Sequence, residues 1–92
     1  MSSSARIAEL ASELRDWPIP LQINVRSVPS GLTYLDVGIG ERWFILAYYP
    51  KENGFGVDEV LEHEGFEMGY KYWFDEFEPA KERLLSMLRD SE

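Results

Sequence analysis

The run "RWFILAYY", residues 42–49, restricts the fold more than any other part of the sequence. From Trp43 to Tyr49 both alternating sets of positions are apolar, so a strand formed here is apolar on both of its faces. At the edge of a sheet such a strand would combine unpaired backbone groups with apolar side chains and would promote aggregation. The run therefore predicts a central strand.

Period-two alternation predicts further strands around this run. Apolar and polar residues alternate in "LQINVRSV" (21–28) and "LTYLDVGI" (32–39), and "FEMGYKYWF" (66–74) alternates strictly. The segment "FGVDEVLEHE" (55–64) fits a short helix or a strand, and two glycines at its start favour the strand. Together with the central run, these segments predict five short antiparallel strands in meander order.

A helix is predicted at each end of the chain. Ser4 is a candidate N-cap for the first helix, and Pro18 and Pro20 end it. The first helix has an apolar stripe of Ile7, Leu10, Leu14 and Trp17, and the second, within 75–90, has one of Phe77, Ala80, Leu84, Met87 and Leu88. Both stripes must be buried, so the sequence predicts a single α+β domain over residues 1–92 with both helices on one face of the sheet.

This arrangement predicts aromatic side chains on the other face. If the residues that face the helices are Ile23, Val25, Leu35, Val37, Tyr70 and Tyr72, then Tyr34 and Trp73 point the opposite way. One of two apolar sets of the central strand joins them, either Phe44, Leu46 and Tyr48 or Trp43, Ile45 and Tyr49. We expect nothing in the sequence to cover this face, and an exposed aromatic patch is typical of a protein interface.

The charge is concentrated in one segment. The net charge is −8, and residues 58–78 contain eight carboxylates against Lys71 alone. This sign disfavours nucleic acid and anionic membranes as direct partners. Folding does not require this surplus of carboxylates, which repel one another. We therefore expect the acidic segment to bind a basic partner protein. The candidate partner-binding residues are Glu59, Glu62, Glu64, Glu67, Tyr34 and Trp73.

The absence of cysteine excludes disulfides, thiol catalysis and cysteine-ligated metals. It favours a reducing cytoplasm. The first 17 residues mix charged and polar side chains among the apolar ones, and no apolar run approaches the length of a membrane span. We therefore expect an untargeted cytoplasmic protein that does not insert into membranes.

Catalytic and cofactor motifs are not evident. His63 is the only histidine; with Glu59 and Glu62 nearby it offers a weak ligand set, and a solvated turn residue is the simpler interpretation. "GIG" (38–40) and "GFG" (54–56) lack the third glycine of a dinucleotide fingerprint and are interpreted as turn glycines. Without a cleft to separate their pKa values, many carboxylates indicate a solvated face. The sequence predicts no enzyme, no metal and no cofactor.

The run "GFGVDEVLEHEGFEMGYKYWFDEFEPAKERLLSML", residues 54–88, resembles the C-terminal half of small α+β immunity proteins that neutralise bacterial polymorphic toxins. The likeness is in size, acidity and the closing order of Gly-rich strand, strand and helix. It implies a non-catalytic inhibitor that presents an acidic surface to a basic toxin. No diagnostic motif is shared, so no functional residue is transferred from that family.

Two other functions remain compatible with the sequence. A homodimer could bury the exposed face of the sheet, which would make the aromatic patch structural. Alternatively, an acidic DNA mimic could use its carboxylates to occupy a nucleic-acid-binding protein.

Overall fold

The computed structural model describes residues 3–60 and 70–92, and it confirms the α+β fold. The elements in chain order are α1 (Ser3–Leu14), β1 (Gln22–Ser27), β2 (Thr33–Ile39), β3 (Arg42–Tyr49), β4 (Gly54–Val60), β5 (Tyr72–Phe74) and α2 (Phe77–Asp90). The sequence predictions for residues 61–69 lie outside the described residues.

The five strands form one antiparallel sheet in the order β1-β2-β3-β4-β5. The strand that is apolar on both faces, β3, is the middle strand, as its sequence predicted. Its register opposes Leu46 to Leu35 of β2 and to Val57 of β4. The choice between helix and strand after residue 54 is settled for the described part, because β4 pairs with β3 along its whole length.

Both helices pack on the same face of the sheet. Helix α1 contacts β1 and β2, whereas α2 contacts β3, β4 and β5. The sheet residues of the core are Leu35, Val37, Ile39, Phe44, Leu46, Phe55 and Val57, and the helices contribute Ile7, Leu10, Ala11, Leu14, Phe77, Ala80, Leu84 and Leu88. Alternation along each strand thus places one side-chain set of β2, β3 and β4 in a single core.

A hydroxyl cluster centred on the buried Thr33 fixes the start of α1 against β2. Thr33 is buried, donates to the carbonyl of Gly31 at 3.2 Å, and lies 2.8 Å from the hydroxyl of Ser4 and 3.4 Å from that of Ser27. The N-cap prediction for Ser4 is wrong, because Ser4 is within α1 and its hydroxyl bonds to a residue 29 positions away. A long-range partner of this kind is not visible in local sequence.

Helix α1 ends three residues earlier than its apolar stripe indicated. Leu14 is its last residue, and the next three amides bond to carbonyls three residues back, which tightens the chain into turns. Pro18 accounts for this ending, because a proline disfavours helical backbone at the residue before it. Trp17 still packs against the core, but it is only partly buried.

Two adjacent leucines of α2 provide a test of this packing. Leu84 is fully buried, whereas Leu85 lies at the margin of the core. Leu84→Ala is expected to lower the free energy of unfolding by about 2–5 kcal/mol, because it leaves a cavity among residues that cannot collapse into it. Leu85→Ala should cost less than about half as much, since solvent replaces part of its contact. Denaturant titration measures both losses, and equal losses would contradict the described orientation of α2.

Candidate functional site

The side of the sheet that faces away from the helices is here named the open face. Its side chains include Tyr34, Asp36, Trp43, Ile45, Ala47, Tyr49, Asp58 and Trp73, as the strand registers show. The central strand therefore turns its Trp43, Ile45 and Tyr49 set outward, because the alternate set is in the core. No helix or strand of residues 3–60 and 70–92 lies on the open face, but Ile45 and Ala47 at its centre are buried, whereas Trp73 is 45% exposed.

Three glycines let aromatic rings lie directly on the backbone of the open face. A Cβ at Gly54 would come within 2.4 Å of the Trp73 indole, and one at Gly56 within 2.5 Å of the Tyr70 ring. A Cβ at Gly38 would likewise come within 2.9 Å of the Trp43 indole. All three glycines lie inside strands, so the prediction that they are turn glycines is wrong; Gly40, with φ of 60°, does occupy a turn.

Tyr70 lies on the open face, which corrects the prediction that it faces the helices with Tyr72. The prediction extended one alternating strand through both residues, but β5 begins at Tyr72. Ahead of that strand the chain is free to place the Tyr70 ring over Gly56, where no side chain occupies the space. The expectation that nothing in the sequence covers the open face is therefore wrong at this position.

Four aromatic residues from β2, β3, β5 and the chain before β5 form what we name the ring cluster: Tyr34, Tyr49, Tyr70 and Trp73. Tyr49 is its centre, with ring centroids 5.6 Å from Tyr70 and 5.7 Å from Trp73. The Tyr49 hydroxyl donates to that of Tyr70 at 2.9 Å, and Tyr34 interacts with Tyr49 from the other side. The cluster is thus one continuous surface across most of the sheet.

The ring cluster keeps two of its phenols neutral. Burial, and next the hydrogen bond with Tyr49, strongly raise the pKa of Tyr70. Burial also raises the pKa of Tyr34, and its interaction with Tyr49 adds to the effect. A phenol whose pKa is raised is a poor proton donor in acid–base chemistry at neutral pH. The arrangement therefore suits hydrogen bonding and ring contact.

Charged groups flank the ring cluster on both sides. The Arg26 guanidinium lies 5.0 Å above the ring of Tyr34 and is 3.1 Å from the carboxylate of Asp36, so this side is close to neutral. On the other side Asp58 accepts the backbone amides of Glu59 at 2.8 Å and Lys71 at 3.0 Å. These bonds tie β4 to the chain entering β5 and help to hold Tyr70 in place.

The predicted partner-binding residues do not all lie on one surface. Tyr34 and Trp73 are brought together on the open face through Tyr49. Glu59 belongs to the same side-chain set of β4 as Phe55 and Val57, so it lies on the helix side. There Arg42 donates two hydrogen bonds to it, at 2.8 and 2.9 Å. That hydrogen bonding lowers the pKa of Glu59. Glu62, Glu64 and Glu67 lie outside the described residues, as does His63.

The sequence interpretation assigned Tyr70 to the wrong face and gave Tyr49 only as part of one of two possible sets. A signal for them was present, because Gly54 and Gly56 alternate with Phe55 and Val57 and so leave the first half of one face of β4 without side chains. A strand bare on one face needs rings from its neighbours to cover the backbone. Tyr49 is the register partner of Gly54, and Trp73 is that of Gly56.

Other chemistry is sparse in the described residues. Within 3–60 and 70–92, no three His, Cys, Asp or Glu side chains are grouped so that they could hold a metal ion. A groove of about 250 Å³ runs between the helices; it is open to solvent and crossed by the ion pair of Lys81 with Glu13 at 3.3 Å. This groove has charges of both signs, which distinguishes it from the aromatic open face.

Comparison of the chain with protein-family models, with curated proteins and with solved structures gave no match. Neither of the two described helices is long and apolar enough to span a bilayer.

The contact between Gly54 and Trp73 can be tested by a double-mutant cycle. Gly54→Ala should lower the free energy of unfolding by about 1–3 kcal/mol, because its methyl group would overlap the indole. In the Trp73→Ala background the same change should be neutral or stabilising by up to about 1 kcal/mol, since alanine restricts the unfolded chain. Additive effects in chemical denaturation would mean that the indole does not lie on Gly54.

The raised pKa of Tyr70 predicts a loss of stability in alkali. Unfolding exposes a phenol with a pKa near 10, so above that pH the unfolded state releases a proton that the folded state retains. The stabilisation is therefore complete below pH 10 and decreases as the pH rises above it. Between pH 10 and 11 the free energy of unfolding of wild type should fall up to about 1 kcal/mol more steeply than that of Tyr70→Phe. Identical slopes would show that the Tyr70 hydroxyl is solvated.

Proposed function

We propose that this protein is a non-catalytic binding module that neutralises or regulates a basic partner protein through the open face. The observation that supports the proposal best is the ring cluster, in which Trp73 is 45% exposed while Tyr49 and Gly54 hold it in place. Exposed aromatic residues on a rigid base are typical anchors of protein interfaces. A five-stranded sheet supplies such a base, because each ring rests on backbone that is fixed by its neighbouring strands.

Charge supports a basic partner. The chain has a net charge of −8, and the exposed residues Asp75, Glu76 and Glu78 follow Trp73 closely in the chain. A field of this sign attracts a positively charged protein and accelerates its association, and it repels nucleic acid. The proposed partner is accordingly steered by carboxylates and retained by aromatic contact.

The role of inhibitor agrees with the resemblance of residues 54–88 to immunity proteins of toxin systems. Such a role requires a stable surface, and it requires no catalytic group. Formation of a homodimer through the open face is the competing function, because a second copy would also bury the exposed ring of Trp73.

Binding kinetics with a partner captured from cells of the source organism test the proposal. Trp73→Ala should speed dissociation by about tenfold or more, because a desolvated aromatic anchor acts mainly on the lifetime of a complex. Joint replacement of Glu62, Glu64 and Glu67 with glutamine should slow association and reduce its dependence on salt, because charge steering is screened within roughly 8 Å at physiological salt. Ile19→Ala is the matched control, since Ile19 is exposed and apolar but lies between α1 and β1.

Two results would contradict the proposal. A captured protein whose binding is unchanged in both the Trp73 and the glutamate variants would show that neither the open face nor the acidic segment forms the interface. Sedimentation at micromolar concentration addresses the alternative. A wild-type dimer that Trp73→Ala converts to monomers would assign the open face to a second copy of this chain.

A further inference from the structure

We propose that the exposed face of the Trp73 indole binds an arginine side chain of the partner. This inference rests on the proposed function and specifies the chemistry that the open face recognises. It follows from three features: the contacts that support the indole, the positions of the chain's own lysines and arginines, and the negative charge of the chain.

The Trp73 indole is set for stacking. Gly54 lies beneath it, so close that a Cβ there would be 2.4 Å from the ring, and Tyr49 stands beside it at a centroid distance of 5.7 Å. One side of the ring therefore lies on the backbone, and 45% of the residue is exposed to solvent. A fixed indole with an exposed face binds a flat cation with little loss of side-chain freedom, because Trp73 is already ordered.

The chain places its own cations over other rings. Five such contacts have cation-to-centroid distances between 4.4 and 5.9 Å: Arg6 with Phe77, Arg26 with Tyr34, Arg42 with Phe44, and both Lys71 and Arg83 with Tyr72. All nine lysines and arginines lie within the described ranges, and none of them is over Trp73. Tryptophan attracts cations more strongly than tyrosine or phenylalanine. The most exposed aromatic ring of the described chain is therefore available to a foreign cation.

Exposed carboxylates follow this ring in the chain. Asp75 and Glu76 are exposed and follow Trp73 by two and three residues, so the chain keeps their backbones within about 7–11 Å of it. The net negative charge of the chain favours a cation over an anion at this ring. A second copy of this chain carries the same net charge of −8, so a basic partner fits the surface better than self-association.

Arginine fits this site better than lysine. Its guanidinium is planar and weakly hydrated, so it can lie parallel to the indole and keep its N–H groups available for hydrogen bonds at its edge. The ammonium of lysine is a compact, strongly hydrated charge that gains less from stacking. The closest contact of this kind within the chain, at 4.4 Å, also uses arginine, namely Arg83 over Tyr72.

Peptides of defined charge test the inference without a known partner. Hexa-arginine and hexa-lysine carry the same charge, and a hexa-citrulline peptide has a similar shape without charge. The dissociation constants are measured by titration of isotope-labelled protein, with the Trp73 indole N–H signal as the local readout. Hexa-arginine should bind about two- to fivefold more tightly than hexa-lysine and should shift the Trp73 signal most. Hexa-citrulline should leave that signal in place.

Three variants separate stacking from simple charge attraction. Trp73→Leu keeps an apolar side chain but has no π face, so it should bind both peptides equally. The double change Asp75→Asn with Glu76→Gln should weaken both peptides and preserve the preference for arginine. Ile19→Ala should match wild type. The wild-type signal of Trp73 gives an independent readout if Trp73→Leu fails to fold.

The outcomes distinguish this inference from the function on which it rests. Equal affinity for the two charged peptides in wild type, or a larger shift at Trp17 or Trp43 than at Trp73, would overturn the arginine site. A captured partner that still depends on Trp73 would then leave the proposed function intact. A wild-type dimer in which Trp73 is covered would overturn the inference as well, because a second copy would occupy the ring.

Discussion

The architecture depends on a single strand that is buried from both sides. β3 forms hydrogen bonds with β2 and β4 along its length, and its two side-chain sets serve different purposes. Phe44 and Leu46 join the helices in the core, whereas Trp43 and Tyr49 support the open face. One strand thus supplies side chains to both layers, and Tyr49 links the core strand to Trp73 on the edge strand β5. For the proposed binding function, a surface with this support would need little ordering when a partner arrives.

Sequence alternation determines which side of the sheet a residue occupies, and it predicted the strand order and the inner face of β2, whereas for β3, apolar in both sets, it left the inner face undetermined. It does not determine where pairing begins. Tyr70 and Tyr72 share one alternating pattern, yet only Tyr72 lies in β5, so the two rings lie on opposite sides of the sheet. Contacts between distant positions were equally invisible, as with Ser4 and Thr33. The register that sets Gly54 and Gly56 under rings depends on strand pairing, which local sequence does not encode.

Proximity along the chain was a poor guide to the candidate site. Glu59 was grouped with Tyr34 and Trp73 because it belongs to the acidic segment, but alternation in β4 turns it toward the helices. There it pairs with Arg42, and their two hydrogen bonds occupy a carboxylate that would otherwise add to the surface charge. Such a pair has part of its charge in solvent and contributes little to stability.

The cations of the chain are also separated from Trp73, the most exposed ring of the described residues. Tyr72 at the margin of the core and Phe44 within it each gain stability from a nearby arginine and are no longer open to other cations. Trp73 instead gains its support from Gly54 and Tyr49, neither of which is charged. A tryptophan that is fixed by uncharged contacts keeps its affinity for a cation. Gly54, which has no side chain beneath the indole, thus provides the uncharged support on which the proposed arginine site depends.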